Sequence, residues 1–262
     1  VLGVGLAWTR HLLRPELTSA EDASAATGLP TLASIPLKPK LRGSDPAVIE
    51  SYRVLSTNLS FMMREADQKV IAIAGFGPRV GKTSVVMGLA DAIAERGRKV
   101  LVVDGDMRAA ALSANYGHPN SPGLVDVLKG TISIEPVLID LGDQRWLLPA
   151  RQSRTNAAGL LSGDRTSAVI DDLRQRFDVI IFDSPPIAAL ADGLILASLA
   201  DQVLIVARTG LTKPSDLTAV TTSLTQGAAE IAGLVVFKTV SEDLYYPVSN
   251  SSGWTPGRAR VG

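Results

Sequence analysis

One stretch constrains the whole chain: Val70 to Val85, V-I-A-I-A-G-F-G-P-R-V-G-K-T-S-V. An apolar run of strand length ends in a Gly/Pro turn, Gly81-Lys82-Thr83 follows, and a helical pattern begins. The order strand, loop, helix aims backbone N–H groups at an anion and sets a lysine ammonium beside them. Gly77, Pro78, Arg79, Val80, Gly81, Lys82, Thr83 and Ser84 are therefore the candidate nucleotide-binding residues, and Thr83 is placed to offer its hydroxyl to Mg²⁺. The strict pattern G-x-x-x-x-G-K-[ST] fails by one position, since its first glycine falls on Phe76 and Gly75 stands one residue early. Arg79 occupies a position that favours a small residue. At φ < 0 its N–H can face the phosphates with the side chain outward, or the guanidinium itself can touch them; φ > 0 would bring strain that argues against binding.

The rest of the chain supplies a sheet for this loop. Val100 to Asp104, Asp178 to Phe182, Gln202 to Ala207 and Leu234 to Phe237 are apolar runs without alternation, separated by helical patterns. That combination predicts a mostly parallel, doubly wound α/β sheet covered by helices on both faces. Arg145 to Pro149 reads as a further short strand, Thr31 to Pro36 as a brief one, and Glu16 to Thr27 as a short helix stopped by Gly28-Leu29-Pro30. Asp45-Pro46 offers an N-cap and a first-turn proline for a helix from about Ala47 to Glu65. Its Val48, Tyr52, Leu55, Leu59 and Met62 recur at helical spacing.

At 262 residues the chain suits one such domain plus tails. Basic and acidic residues balance at 26 each, so no global field favours nucleic acid, and no nucleic-acid partner is expected. Cysteine is absent, which excludes disulfides and zinc–thiolate sites. Val1 to Trp8 is wholly apolar ahead of Arg10, His11 and Arg14. A spanning helix needs about 20 such residues, so this segment reads as the cytoplasmic end of a truncated membrane helix, or as a short buried strand or a boundary of the sequence. From Ser241 the chain is polar and rich in Gly, Ser and Pro.

In an open parallel sheet, ligands sit beyond the carboxyl ends of the strands. Three strand ends carry compatible polar groups: the Gly81-Lys82-Thr83 loop, Asp104 with Asp106, and Asp183. Mg²⁺ takes oxygen ligands and keeps several waters, so Thr83, Asp104, Asp106 and Asp183 form the candidate metal set. Phosphoryl transfer needs mostly positioning and charge neutralisation, which makes Lys82, Asp104 and Asp106 the candidate catalytic residues. Each aspartate alone has a plainer reading as a helix cap, and so does Asp192.

At these residues a family resemblance enters. V-L-V-V-D-G-D-M-R (100–108) is similar to the second aspartate motif, and D-V-I-I-F-D-S-P-P (178–186) to the Walker B motif, of bacterial tyrosine kinases. These belong to the capsule and exopolysaccharide chain-length family, also called polysaccharide co-polymerases. E-S-Y-R-V-L-S-T-N-L (50–59) resembles that family's arginine-bearing interface helix. S-P-G-L-V-D-V-L-K-G (121–130), Asn156 to Leu161 and T-G-L-P-T-L-A-S-I-P (27–36) resemble further segments. The likeness covers about Gly28 to Lys238, and it makes the displaced first glycine a family trait.

The resemblance implies a P-loop kinase domain that uses ATP and Mg²⁺ on the cytoplasmic face of the inner membrane. Implied with it are ring-like assembly with neighbouring copies through Glu50 and Arg53, a membrane chain-length regulator segment, and a phosphotyrosine phosphatase partner. Lys82 would hold the β/γ phosphates, Thr83 the metal, and Asp183 the metal through water. Asp104 and Asp106 would shape the metal shell and help deprotonate a tyrosine in a neighbour's tail, Tyr245 and Tyr246 being the acceptors. The corresponding division is 1–10 end of a membrane helix, 11–46 juxtamembrane arm and linker, 47–240 kinase domain, and 241–262 tail.

Some residues depart from the family's pattern. Ser56 stands where the interface helix has its second arginine, which weakens the expectation of a ring. Gly233-Leu234-Val235-Val236-Phe237 replaces G-x-V-x-N near the adenine, so a base-edge hydrogen bond is lost. Two other readings therefore stand beside the kinase. One is a regulator that keeps the fold and transfers nothing. The other is an ATPase of the chromosome-partitioning or septum-site kind, although the extra lysine of those enzymes is Gly77 here.

Overall fold

The computed structural model describes residues 16–37, 45–63, 69–153, 157–188 and 190–239. In chain order the elements are α1 (Ala20–Thr27), β1 (Thr31–Leu37), α2 (Pro46–Met62), β2 (Val70–Ala74), α3 (Lys82–Ala94), β3 (Val100–Asp104), α4 (Ala111–Asn115) and α5 (Leu124–Lys129). There follow a 3₁₀ turn (Glu135–Val137), β4 (Ile139–Gly142), β5 (Arg145–Leu148), α6 (Ala157–Leu161), α7 (Asp164–Arg176), β6 (Val179–Asp183), α8 (Ala191–Ser198), β7 (Gln202–Arg208), α9 (Pro214–Gln226) and β8 (Ile231–Thr239).

The strands form one sheet in the order β1-β8-β7-β2-β6-β3-β5-β4. Every pairing is parallel except that of β4 with β5. All five residues of β2, β3 and β6 are buried, which is why these runs lack alternation. Val70, Ala72, Leu101 and Val103 face a core closed by α1 and α5 through α9, while Ile71, Ile73, Val100 and Val102 face α2 and α3. The expected doubly wound fold is borne out.

The centre of the sheet is pinned at its amino-terminal end. Asp201 accepts from the backbone N–H of Lys69 and of Val70, both at 2.7 Å, and Arg174 grips both carboxylate oxygens at 2.8 and 2.6 Å. These bonds set where β2 enters the sheet, and so where its far end presents the loop.

Two regions differ from the sequence reading. The arm placed at 11–46 is, from Glu16 to Leu37, built into the domain: α1 packs on α9 and β8, and β1 extends the sheet beside β8. The approach is close at Gly233, where a side chain would stand 2.5 Å from the Pro30 carbonyl, and Leu234 N–H donates to that carbonyl at 2.9 Å. The second difference is β4, an antiparallel edge strand absent from the sequence reading. It turns into β5 through Asp143 and Gln144, both at positive φ.

Candidate active site

The site is assembled by strand order. β2, β6 and β3 are neighbours, and Asp183 is in register with Ile73 on one side and Asp104 on the other. Three strand ends that are far apart in sequence therefore open onto one mouth, where adjacent crossovers run to opposite sides.

The loop after β2 leads into α3 through Gly81, which caps the helix with φ 111°. Gly77 is half-buried, Pro78 and Ser84 are exposed, and Val80 is buried. Arg79 is exposed and stands in the left-handed region at φ 63°. Of the two backbone states weighed for this residue, the strained one is found, at a cost of about 1 kcal/mol for a residue with a β-carbon. Its carbonyl lies 3.5 Å from Arg208 Nη1 at the end of β7, a long, weak contact.

Lys82 begins α3 with its side chain folded into the loop. It is 8% exposed, and its Nζ donates to the Gly77 carbonyl at 3.2 Å. Burial pushes its pKa below the usual lysine range, against the opposing charges of Asp183 and Asp106. Thr83, one residue on, donates its hydroxyl to Asp183 Oδ2 at 2.7 Å.

Asp183 is almost wholly buried, and burial raises its pKa to about 7, with the Thr83 hydrogen bond pulling the other way and Asp104 adding to the rise. Asp104 is fully buried and is raised to about 6 by the same cause, against the hydrogen bonds of Ser113. Its Oδ2 accepts from the Ser113 N–H at 2.8 Å and hydroxyl at 2.6 Å, and its Oδ1 from Asp106 N–H at 3.2 Å. Asp106 is half-buried at the mouth, and its Oδ1 accepts from the N–H groups of Arg108 (3.2 Å) and Ala109 (3.0 Å).

Sequence reasoning missed Ser113 and Gln152, which help to hold this cluster. Ser113 on α4 orients Asp104 and in turn accepts from Ala150 N–H at 3.0 Å. Asp192, left between function and a helix cap, is buried in the first turn of α8 and pairs with Arg108 at 3.3 Å. Gln152 donates to the Arg108 carbonyl at 2.6 Å, so the segment after Asp106 is tied to both flanks. Ser113 carries no local signal, because only the fold brings it under β3.

The donor set fits the expected ligands. Of the expected metal set, Thr83, Asp106 and Asp183 present hard oxygen atoms of the kind Mg²⁺ prefers, whereas Asp104 is fully buried with both oxygens accepting from Ser113 and Asp106. Among the described residues no group of three His, Cys, Asp or Glu side chains is placed to hold a metal ion by itself. A buried ammonium at a helix N-terminus matches the phosphate.

Glu50 and Arg53 lie on the exposed face of α2, where Arg53 pairs with Glu95, the C-cap of α3, at 2.9 Å and with Glu50 at 3.6 Å. Ser56 is 4% exposed, so this position faces the core and a long cationic side chain there would have to displace packed atoms. Tyr245 and Tyr246, with Val1 to Trp8, lie outside the described residues. Among the described residues no helix is long and apolar enough to cross a membrane.

A family model described as an AAA domain matches residues 68–226. The chain belongs to the AAA domain family. Within it, the resemblance to bacterial tyrosine kinases is borne out. The solved kinase domain of the Escherichia coli tyrosine kinase Etk superposes with a TM-score of 0.79 at 25% identity, covering 92% of this chain and 99% of that one. EpsB of Ralstonia solanacearum is 32% identical over 270 residues, 94% of this chain but 35% of that protein, so the chain spans about a third of such a relative. The cell division ATPase MinD of Pyrococcus furiosus is 30% identical but superposes less fully, with a TM-score of 0.54 over 64% of this chain and 71% of its own. The fold is the α/β P-loop fold of these neighbours.

Proposed function

We propose that this chain is the ATP-dependent tyrosine-kinase domain of a regulator of capsular or exopolysaccharide chain length or export, working at the cytoplasmic face of the inner membrane. The observation that carries the reading is the convergence of Lys82, Thr83, Asp106 and Asp183 on the adjacent ends of β2, β6 and β3. Lys82 and the loop N–H groups would bind the β and γ phosphates, and Thr83 and Asp183 would hold Mg²⁺. The metal supplies charge neutralisation at the phosphates. Asp104, fixed by Ser113, orients the segment carrying Asp106.

Asp106 is the carboxylate at the mouth and takes the proton of an incoming tyrosine, whose unperturbed pKa of about 10 makes such a base useful. The phenolic oxygen forms a bond to the γ phosphorus as the bond to the β–γ bridging oxygen breaks, and ADP leaves. Tyr245 and Tyr246 of a neighbouring copy are the proposed acceptors, on a tail at 241–262, with α1 and β1 joined to 47–240 in the kinase unit. Glu50 and Arg53 are the proposed ring contacts, and a phosphotyrosine phosphatase the opposing enzyme.

The test is incubation of the chain with Mg²⁺ and ATP, followed by mass-spectrometric mapping of phosphate. Phosphotyrosine at 245 or 246 is expected, lost in Lys82→Ala and Asp106→Ala. No transfer from a chain that binds nucleotide would support the second reading, a regulator without catalysis. The left-handed Arg79 favours that alternative.

A further inference from the structure

Phe237 stands where the resemblance expects a base-reading amide, and its surroundings point to a different task. Phe237 is 6% exposed and belongs to the core between the sheet and α2/α3. It lies directly on the phosphate loop: a β-carbon at Gly81 would stand 2.3, 2.7 and 3.0 Å from three of its ring atoms. The ring thus fills the space over the glycine that caps α3 with φ 111°.

The neighbour of Phe237 in the sheet reaches the same loop. Arg208 on β7 is in register with Phe237 on β8, and its Nη1 lies 3.5 Å from the Arg79 carbonyl. The loop's two positive-φ residues, Arg79 and Gly81, are therefore each approached by one member of a registered strand pair. Backbone in this region persists when surrounding structure fixes it, and Phe237 is the bulkier and better buried of the two supports.

We propose that Phe237 is a positioning residue for the phosphate loop. Its ring holds the Gly81 peptide in the conformation from which Lys82 and the first turn of α3 face the phosphates. The inference rests on the nucleotide reading above and adds that the residue acts on the phosphate end of the ligand, not on the base. A loop freed from the ring spends less time in its binding conformation, and the apparent affinity falls by that fraction.

Calorimetry separates these roles when each protein is titrated, with Mg²⁺ present, against ATP, GTP and inorganic tripolyphosphate, which has no base. Phe237→Ala is expected to weaken all three by a common factor, about tenfold if a tenth of the loop population stays competent. Phe237→Leu, which refills much of the space, should recover most of the loss. Amide exchange at Gly81 to Ser84 in the ligand-free protein should be faster in Phe237→Ala and near wild type in Phe237→Leu.

Weakening of ATP with tripolyphosphate unchanged would overturn the proposal in favour of base reading. Unchanged binding of all three ligands by Phe237→Ala would overturn it as well. If Phe237→Ala does not fold, Phe237→Leu alone decides: a smaller common loss supports the proposal, and an ATP-specific loss overturns it. A wild-type chain that binds neither ATP nor tripolyphosphate would instead overturn the nucleotide reading, and the inference with it.

Discussion

Arg79 and Asp183 show what single residues at the site cost the ligand-free protein. Arg79 holds φ 63° with an exposed side chain, so its strain comes from the backbone alone. Arg79→Gly should raise stability by about 1 kcal/mol, read as a higher urea midpoint. Under the kinase reading it leaves ATP affinity nearly unchanged, whereas an increase beyond tenfold would mean that Arg79 had been blocking the loop. Asp183 acts through charge. Burial raises its carboxyl to about 7, so on folding it takes up a proton anywhere between its unfolded value near 4 and that point. The folded state then binds more protons than the unfolded one, and stability falls as pH rises through this window. Asp183→Asn removes this dependence. The variant should melt above the wild type at pH 8 and close to it at pH 4, when both are scanned without metal. A constant gap across that range would show that its burial, not its charge, sets the effect.

At the scale of elements, α2 and α3 are joined just behind the loop. Tyr52 donates its hydroxyl to the Ser84 carbonyl at 3.0 Å, and its ring lies over Gly88, where a β-carbon would stand 2.3 Å away. Tyr52→Phe should cost about 1 kcal/mol for the lost hydrogen bond. Gly88→Ala should cost about 1–3 kcal/mol, because the ring must move off α3. A midpoint for Gly88→Ala equal to that of the wild type would deny the close packing. The periodicity of α2 was legible because its buried positions fall at helical spacing, and β2, β3 and β6 because they are apolar on both faces. β4 was not legible. Its residues alternate between half-buried and exposed, and its two-residue turn, Asp143-Gln144, reaches positive φ with no glycine at either position, the glycine standing one residue early at Gly142 (φ 79°). Asp104, Asp106 and Asp183 could be read from strand ends, while Ser113 and the true setting of Phe237 depend on contacts that no local pattern encodes.

For the whole molecule, the question is where the folding unit begins. The sheet would end at β8 if the unit started with α2, leaving a nine-residue edge of largely buried apolar residues without a partner. β1 covers it, burying Leu32, Ala33 and Ile35, and α2 then packs across β1, with Asn58 Nδ2 donating to the Leu32 carbonyl at 2.7 Å. Leucine and isoleucine contribute roughly 1.5–3 kcal/mol each when fully buried, and an open apolar edge invites pairing with another chain. Phe237 lies in the strand that β1 covers, in register with Ile35, so the edge strand also backs the residue beneath the phosphate loop. A chain beginning at Asp45 should therefore unfold several kcal/mol more easily in urea than the full chain. It should also associate at micromolar concentration in size-exclusion chromatography, and bind tripolyphosphate more weakly. A truncated chain that stays monomeric with an unchanged midpoint would return residues 16–37 to the status of a separate arm. One that associates yet binds tripolyphosphate normally would uncouple the edge from the site.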